Sequence, residues 1–532
     1  MTISEAFRRS MARLHTWFGI SAGAILFAIF WMGTLTVFDS EIDQWMRPEL
    51  SMQLNDEQLS LDSALQDRLV GLENVTRVNI SPAKPRRPIL GFGYSDDEGY
   101  HNFVLDPMTG EEIETTKTLG ATGFFFPFHF SLHIGWKGVG YYVVGIASMA
   151  MLALMASGLF IHRKIIADFF MFRPNKALRR STLDLHNLTG MVGLPFYFIM
   201  PISGLVIFAS VYIPWSISVP FEGDREALAK EAYGQVSIER TGVPSTSITS
   251  LDALKAKAEA LWSQESGAEE NADFIRIYNL GDETAYAEVR QVFPSRKVVM
   301  NPHTTSFNLQ SGEMLSTFSP APVRSAENWI SGLHFIQFDH WPLRWLYFVG
   351  GLAGSVMIAT GSLFWMRART KGEEPESGSV RFIRGLTIGS TAGMVAGSAA
   401  FLLANRLLPA TDTVWGLDRA MAEALVFYLV WMAAFAHAAI RQKEAWADQS
   451  FAIAAIAVLA VLANWWTTGD HVLRTATEGI WSVAGTDLTM LAGAAIAAAA
   501  AFKLRRNDQA RAVRMSGQDT PLQPLPSAAP AE

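Results

Sequence analysis

Residues 14–38 read LHTWFGISAGAILFAIFWMGTLTVF, and residues 185–208 read LHNLTGMVGLPFYFIMPISGLVIF. Each apolar run is long enough to cross a hydrocarbon core of about 30 Å, which takes roughly 20 helical residues. Laid over one another without a gap, they place His15, Gly19 and Gly33 on His186, Gly190 and Gly204. A second match links LHIGWKGVGYYVVGIASMAMLALMASGLFIHR from Leu132 with LHFIQFDHWPLRWLYFVGGLAGSVMIATGSLFWMR from Leu333, allowing one small insertion. The recurring unit is a span, a long connection and a second span, used twice in the same direction. Its two copies are expected about an axis along the membrane normal.

Half of the 532 residues are hydrophobic and 17% are charged, so a purely soluble class is set aside. Eight runs qualify as spans, at about 17–38, 139–161, 187–209, 343–366, 385–404, 420–440, 450–466 and 486–503. Lys and Arg gather on alternate connections. Arg8, Arg9 and Arg13 precede the first span, and Arg163, Lys164, Arg173, Lys176, Arg179 and Arg180 join the second to the third. Arg367, Arg369, Lys371, Arg381 and Arg384 lie between the fourth and fifth, Arg441 and Lys443 after the sixth, and Lys503, Arg505 and Arg506 after the eighth. Short cytoplasmic loops carry the excess of positive charge, so both termini are expected in the cytoplasm. The first run is too long for a signal peptide and no Ala-x-Ala-like site precedes Asp39, Glu41 and Asp43, so it reads as a retained anchor.

The absence of cysteine excludes covalent haem c attachment, thiolate zinc, iron–sulfur ligation and disulfides. Any metal must be held by histidine or oxygen. The formal charge of −7 says little about partners when the two signs are sorted across a membrane. Beyond the lipid bilayer it gives no reason to expect a nucleic acid.

The expected fold class is an α-helical polytopic membrane protein with about eight transmembrane helices and two small α+β domains outside the cytoplasm, built by parallel internal duplication. The expected division is 1–38 for the N-terminus and first span, 39–136 for domain 1, and 137–212 for spans two and three with their basic loop. It continues with 213–341 for domain 2, 342–367 for span four, 380–503 for an added four-helix module, and 504–532 for a disordered tail. In domain 1, LDSALQDRLVGL has helical periodicity and VTRVNIS, PILGFGY and HNFVLDPMTGEEI read as strands, the last bending at its Asp-Pro-Met-Thr-Gly. In domain 2, ITSLDALKAKAEALW is the helix, FIRIYNL, TAYAEVRQV and RKVVMN are the strands, and FNLQSGEML echoes the bend.

Only four Leu-His pairs occur, at His15, His133, His186 and His334. The topology puts His15 and His186 at the cytoplasmic edge, and His133 and His334 at the outer edge. A parallel duplication turns equivalent residues towards a shared axis, so each pair is expected to face one object. Two histidines from different helices suit a b-type haem in an apolar bundle, which makes two haems, each ligated by two histidines. Gly135, Gly138, Gly140 and Gly145, with Gly350, Gly351 and Gly354, permit close approach of a macrocycle or of a helix. His129, four residues before His133, His162 and His340 are weaker candidate ligands, and His437 and His471 sit at opposite edges of the added module. His101 and His303 fall in the outer domains, where exposed polar residues are ordinary.

Together, RLHTWFGISAGAILFAIFWMGTLTVF, VLDPMTGE, LHIGWKGVGYYVVGIASMAMLALMASGLF and LHFIQFDHWPLRWLYFVGGLAGSVMIATGSLFWMRAR resemble the PepSY-associated membrane helix family over about residues 8 to 370. That family includes iron-regulated inner-membrane proteins and ferrisiderophore reductases. The resemblance implies PepSY-type periplasmic domains, haem b on His15, His133, His186 and His334, and electron transfer to a periplasmic ferric siderophore or other ferric chelate. The family's LHFGxFGG is LHFIQFDH here, so Asp339 and His340 depart from it.

Cytoplasmic loops of about 20 residues or fewer hold no flavin or nicotinamide domain, and no G-x-G-x-x-G opens a helix after a strand. The donor is then a separate one, quinol or a cytoplasmic reductase. Two other readings compete: a PepSY-type envelope regulatory or binding protein without redox activity, and a small-solute or metal transporter. Against a transporter, no span carries an acidic or basic pair near its middle. No H-E-x-x-H or G-x-S-x-G supports a hydrolase.

Overall fold

Ser4 accepts a hydrogen bond from Phe7 N and so caps α1 (Glu5–Thr36), the first span. The computed structural model describes residues 4–518 except 53, 55–58, 162–172, 174–177, 216–218, 220–221, 295–296, 370–376 and 443. A short α2 (Asp39–Met46) follows, then α3 (Leu61–Val70), β1 (Arg77–Ser81), β2 (Leu90–Ser95), β3 (Tyr100–Leu105), and α4 (Gly120–Ser131), which leads into the second span, α5 (Val139–Ile161). The third span is split into α6 (Leu178–Val192) and α7 (Leu194–Ile207), bent by 63°. Pro195 lies in the first turn of α7, where its missing N–H breaks the helical ladder and permits the bend.

Beyond it come α8 (Leu251–Ser266), β4 (Phe274–Tyr278), β5 (Tyr286–Arg290), β6 (Thr304–Asn308), β7 (Met314–Phe318), α9 (Pro322–Phe335) and the fourth span, α10 (Trp341–Arg369). The last four spans are α11 (Gly378–Leu407), α12 (Arg419–Arg441), α13 (Ala445–Thr468) and α14 (Trp481–Gln518). Among the described residues seven helices are long and apolar enough to cross a membrane, and the bent pair, counted as one span, brings the number to eight. The chain is thus a multi-pass membrane protein. Its final helix continues past residue 503 to Gln518, and residues 519–532 lie outside those described.

The two long connections build one sheet together. Strand order is β3-β2-β1-β4-β5-β6-β7, and β1 pairs antiparallel with β4, Val78 opposite Ile277 and Ile80 opposite Ile275. One core of Leu65, Val78, Ile80, Phe92, Leu254, Trp262, Ile277 and Phe307 runs through both halves, with α3 and α8 contributing to it. The N-termini of these two helices cap each other. Asp252 of α8 accepts from Ser60 Oγ (2.7 Å) and Leu61 N (3.1 Å), while Asp62 of α3 accepts from Ser250 Oγ and from Leu251 N (2.6 Å). Each carboxylate satisfies the other helix's unpaired N–H groups and faces its positive dipole end.

The described part of RKVVMN, residues 297–301, forms no strand; β6 and β7 on either side of the second bend complete the sheet instead. The end of the segment bonds to α9, Met300 N donating to Asn328 O (3.2 Å) and Asn328 Nδ2 to Asn301 O (3.3 Å), while Asn301 N turns back to Val292 O (3.1 Å). In the bundle α1 packs on α4, α5, α10 and α11, and α6 on α10. α11 is the most enclosed span, held by α12 and α13. The end of the bundle that carries the sheet is called the domain end below, and the opposite one the far end.

Candidate functional site

His15, near the start of α1, and His186, on α6, meet at the far end with ring centroids 6.2 Å apart. His15 Nδ1 lies 3.0 Å from Leu154 O and 3.1 Å from Ser157 Oγ, and His186 Nδ1 donates to Met357 O at 2.8 Å. A carbonyl can only accept, so each Nδ1 carries the proton and each Nε2 the lone pair.

At the domain end His334 of α9 meets His129 of α4, with centroids 5.9 Å apart and planes inclined by 35°. His129 Nδ1 donates to Ile29 O at 2.8 Å. Ser203 Oγ donates to Ile199 O (2.6 Å) and therefore accepts from His334 Nδ1 (2.9 Å). All four imidazoles are thus in one tautomer, the one in which Nε2 can bind a metal while Nδ1–H is anchored by an outer partner. Two metal–nitrogen bonds of about 2 Å, plus about 1.1 Å from each nitrogen to its ring centre, put bis-imidazole centroids about 6 Å apart. Both pairs meet that requirement.

A glycine from a neighbouring helix lies against each ring. A Cβ on Gly33 would come within 2.7 Å of the His129 ring, one on Gly204 within 3.3 Å of His334, one on Gly158 within 3.3 Å of His15 and one on Gly361 within 3.1 Å of His186. At the domain end the two rings also line a cavity walled by Leu26, Phe30, Phe126, Phe196, Phe208 and Tyr347 among others. Such a mainly apolar chamber with two convergent imidazoles suits a flat, hydrophobic metal macrocycle.

Pairing His133 with His334 is corrected by this geometry. α4 ends at Ser131, and Leu132 and His133 both turn into the left-handed region (φ 52° and 56°), so His133 leaves the helical face that carries His129. Its ring folds back against Phe124 and Phe128. Nε2 donates to Phe124 O (2.8 Å), so Nδ1 accepts from Tyr428 OH (2.8 Å), and both nitrogens are engaged. The signal for His129 was present in the chain. His129-Phe130 and His334-Phe335 each stand seven residues before a tryptophan, since 136 − 129 and 341 − 334 are equal. Aligning on that His-Phe places His133 opposite the buried Phe338.

His340 is exposed, and its Nδ1 accepts from Leu343 N (3.3 Å) at the start of α10. His162 lies outside the described residues. His437 is 3.5 Å from Asp448, His471 caps the short helix after α13, His101 pairs with Asp96, and His303 stacks on Trp262. Among the described residues, no group of three or more His, Asp or Glu is arranged to hold a metal ion.

A buried cluster of four charged residues reaches the cavity through Asp39. Glu41 is gripped by two guanidiniums: Arg344 reaches both its oxygens (2.8 and 2.7 Å) and Arg86 does the same (3.1 and 3.2 Å). Arg344 is fully buried, and Asp39, 3.6 Å from Arg86, lines the cavity. Two carboxylates and two guanidiniums cancel, which is the condition for keeping charge away from water. Burial works to raise the Glu41 carboxyl, but Arg86 and Arg344 hold it below its ordinary value. The cluster joins α2, the β1–β2 loop and α10, and so fastens the sheet domain to the bundle.

A family described as "PepSY-associated TM region" has a sequence model that matches residues 12–368. The chain is also similar to the uncharacterized protein PA4219 of Pseudomonas aeruginosa, at 26% identity over 294 residues, covering 53% of this chain and 71% of that protein. Spans five to eight lie beyond the residues that the family model matches.

Proposed function

The chain belongs to the family of the PepSY-associated TM region, and from that premise we propose that it is a haem b-containing reductase of the bacterial inner membrane. It passes electrons across the bilayer to ferric chelates, ferrisiderophores among them, on the side of the sheet domain. In this reading the far end and both termini face the cytoplasm, and the two halves of the sheet are PepSY-type units from an internal duplication. The observation that carries it is the pair of histidine couples, each with centroids close to 6 Å apart and each Nδ1 anchored.

His15 with His186, and His129 with His334, would hold one haem each. Bound haem supplies a one-electron couple within a bilayer that ions do not cross. Leu154, Met357, Ile29 and Ser203 fix the tautomers and make the imidazoles stronger donors. Phe30, Phe126, Phe196 and Phe208 keep water from the domain-end site. Eighteen residues of α1 separate His15 from Gly33, a rise of about 27 Å, so the couples stand near opposite edges of the hydrocarbon core.

Each ferric ion gains one electron and becomes ferrous, which hard oxygen ligands hold less tightly. The electrons come from quinol or from a separate cytoplasmic reductase. The test is anaerobic stopped-flow: protein reduced with dithionite and freed of excess reductant is mixed with a panel of ferric chelates. Reoxidation with one ferrous ion formed per electron is expected for at least one chelate. No reoxidation faster than in buffer, with any chelate, contradicts the reading.

A further inference from the structure

Spans five to eight have no place in the scheme above, yet they hold one of the two domain-end histidine helices and not the other. The segment before α4 is tied down at Thr118, whose hydroxyl donates to the Glu423 carboxylate of α12. Glu423 is itself fully buried and fixed by Asn405 Nδ2 (3.0 Å) and Arg419 Nη1 (2.5 Å). Arg419 Nη1 also reaches Lys117 O (3.2 Å). The segment after α4 is tied down at His133, which bridges Tyr428 of α12 to Phe124 inside α4. Phe124 in turn stacks on Phe401 of α11, 4.3 Å between centroids.

Glu423 and Tyr428 are five residues apart on α12; Glu423 takes Thr118 directly, and Tyr428 reaches Phe124, six residues further along the α4 segment, through His133 and by a ring contact of 6.3 Å between centroids. At about 1.5 Å per residue these spans are similar in length, so one rigid helix can grip the other at two points. Among the described residues, α9 has no hydrogen bond to spans five to eight; its His334 rests on Ser203 of α7. The asymmetry matters because His129 has little room: its ring is wedged against Gly33 and hydrogen-bonded to Ile29 O.

Resting on the haem reading of the domain-end cavity, we propose that spans five to eight are a clamp that sets the position of α4, with Glu423 and Tyr428 of α12 as positioning residues for the His129–His334 site. They act through Thr118 and His133 and touch no cofactor. His133 thereby gains a role other than ligation. It is the link through which the added module reaches the site.

The test uses the full-length protein and two variants that keep shape, Tyr428→Phe and Thr118→Val. Hydrogen exchange is followed in amides 120–132 of α4 and, as control, 322–335 of α9, in protein prepared with and without haem supply. Each variant should speed exchange in α4 roughly fivefold, the factor that one hydrogen bond is worth, and leave α9 unchanged. In haem-loaded protein both haems should remain, while the reduction midpoint of the domain-end haem shifts and that of the far-end haem does not. Unchanged α4 exchange in both variants, or an equal rise in α9, overturns the clamp. So does a far-end haem that shifts as much as the domain-end one. Wild-type protein that takes up no haem defeats the haem reading, and the exchange arm then decides the clamp alone.

Discussion

At the residue scale the account rests on His15, His186, His129 and His334, and it separates them from His133. His129→Ala and His15→Ala should each lower the haem-to-protein ratio by one, and by different haems, whereas His133→Phe should keep both; pyridine haemochrome assays on the purified variants check this. Gly33→Val should mimic His129→Ala, because a Cβ there would lie 2.7 Å from the ring, closer than van der Waals contact allows. Three of the four histidines were legible as Leu-His pairs in matching segments. The fourth, His129, stood out only as a weaker candidate, because His133 carries the motif while a left-handed turn at Leu132 sends it away from the site. Asp39 makes a separate prediction. Burial raises its carboxyl from 3.8 to about 6, against the pull of Arg86 and with Asp43 and Glu41 adding to the rise. Folding therefore favours the protonated form, and the stability it contributes is complete below pH 3.8 and is lost as pH climbs through about 6. Melting temperatures across that window should fall less for Asp39→Asn than for the unaltered protein; equal slopes would remove Asp39 from the explanation.

At the scale of elements, the helices and most strands of the sheet domain could be read from periodicity: LDSALQDRLV and LDALKAKAEALW became α3 and α8, and VTRVNIS and FIRIYNL became β1 and β4. That β1 and β4 would pair edge to edge was not legible. Alternation names a strand's two faces and leaves its neighbour open. RKVVMN has the composition of a strand, but its end bonds to α9 and back to Val292 in place of a neighbouring strand. The reciprocal caps of α3 and α8 tie the halves together. Asp252→Ala removes the acceptor for Ser60 and Leu61, and a lost cap of this kind costs about 1–2 kcal/mol. Hydrogen exchange should quicken at residues 61–63, in the first turn of α3, while the sheet core stays protected. Asp62→Ala should do the same to α8, and combining the two should cost less than their sum, because the groups share one contact.

For the whole molecule, runs of apolar residues long enough to cross a membrane were visible in the sequence, and the cavity was not. Its walls come from α1, α4, α5, α7, α9 and α10, so it exists only after two distant parts of the chain have packed side by side. The Glu41–Arg344–Arg86 cluster was hidden for the same reason, its members being far apart in sequence. Removing Glu41 as Glu41→Ala would leave two guanidiniums buried without a partner, a loss of about 3–5 kcal/mol, and detergent-solubilised protein should melt earlier and lose domain-end haem first. The central claim is that two imidazole couples hold two haems on one chain. It is tested most directly by the visible spectrum of the purified full-length protein, oxidised and dithionite-reduced, with haem counted against protein after expression with ample haem supply. The account predicts low-spin b-type spectra and a ratio of two, and a protein without a Soret band would contradict it.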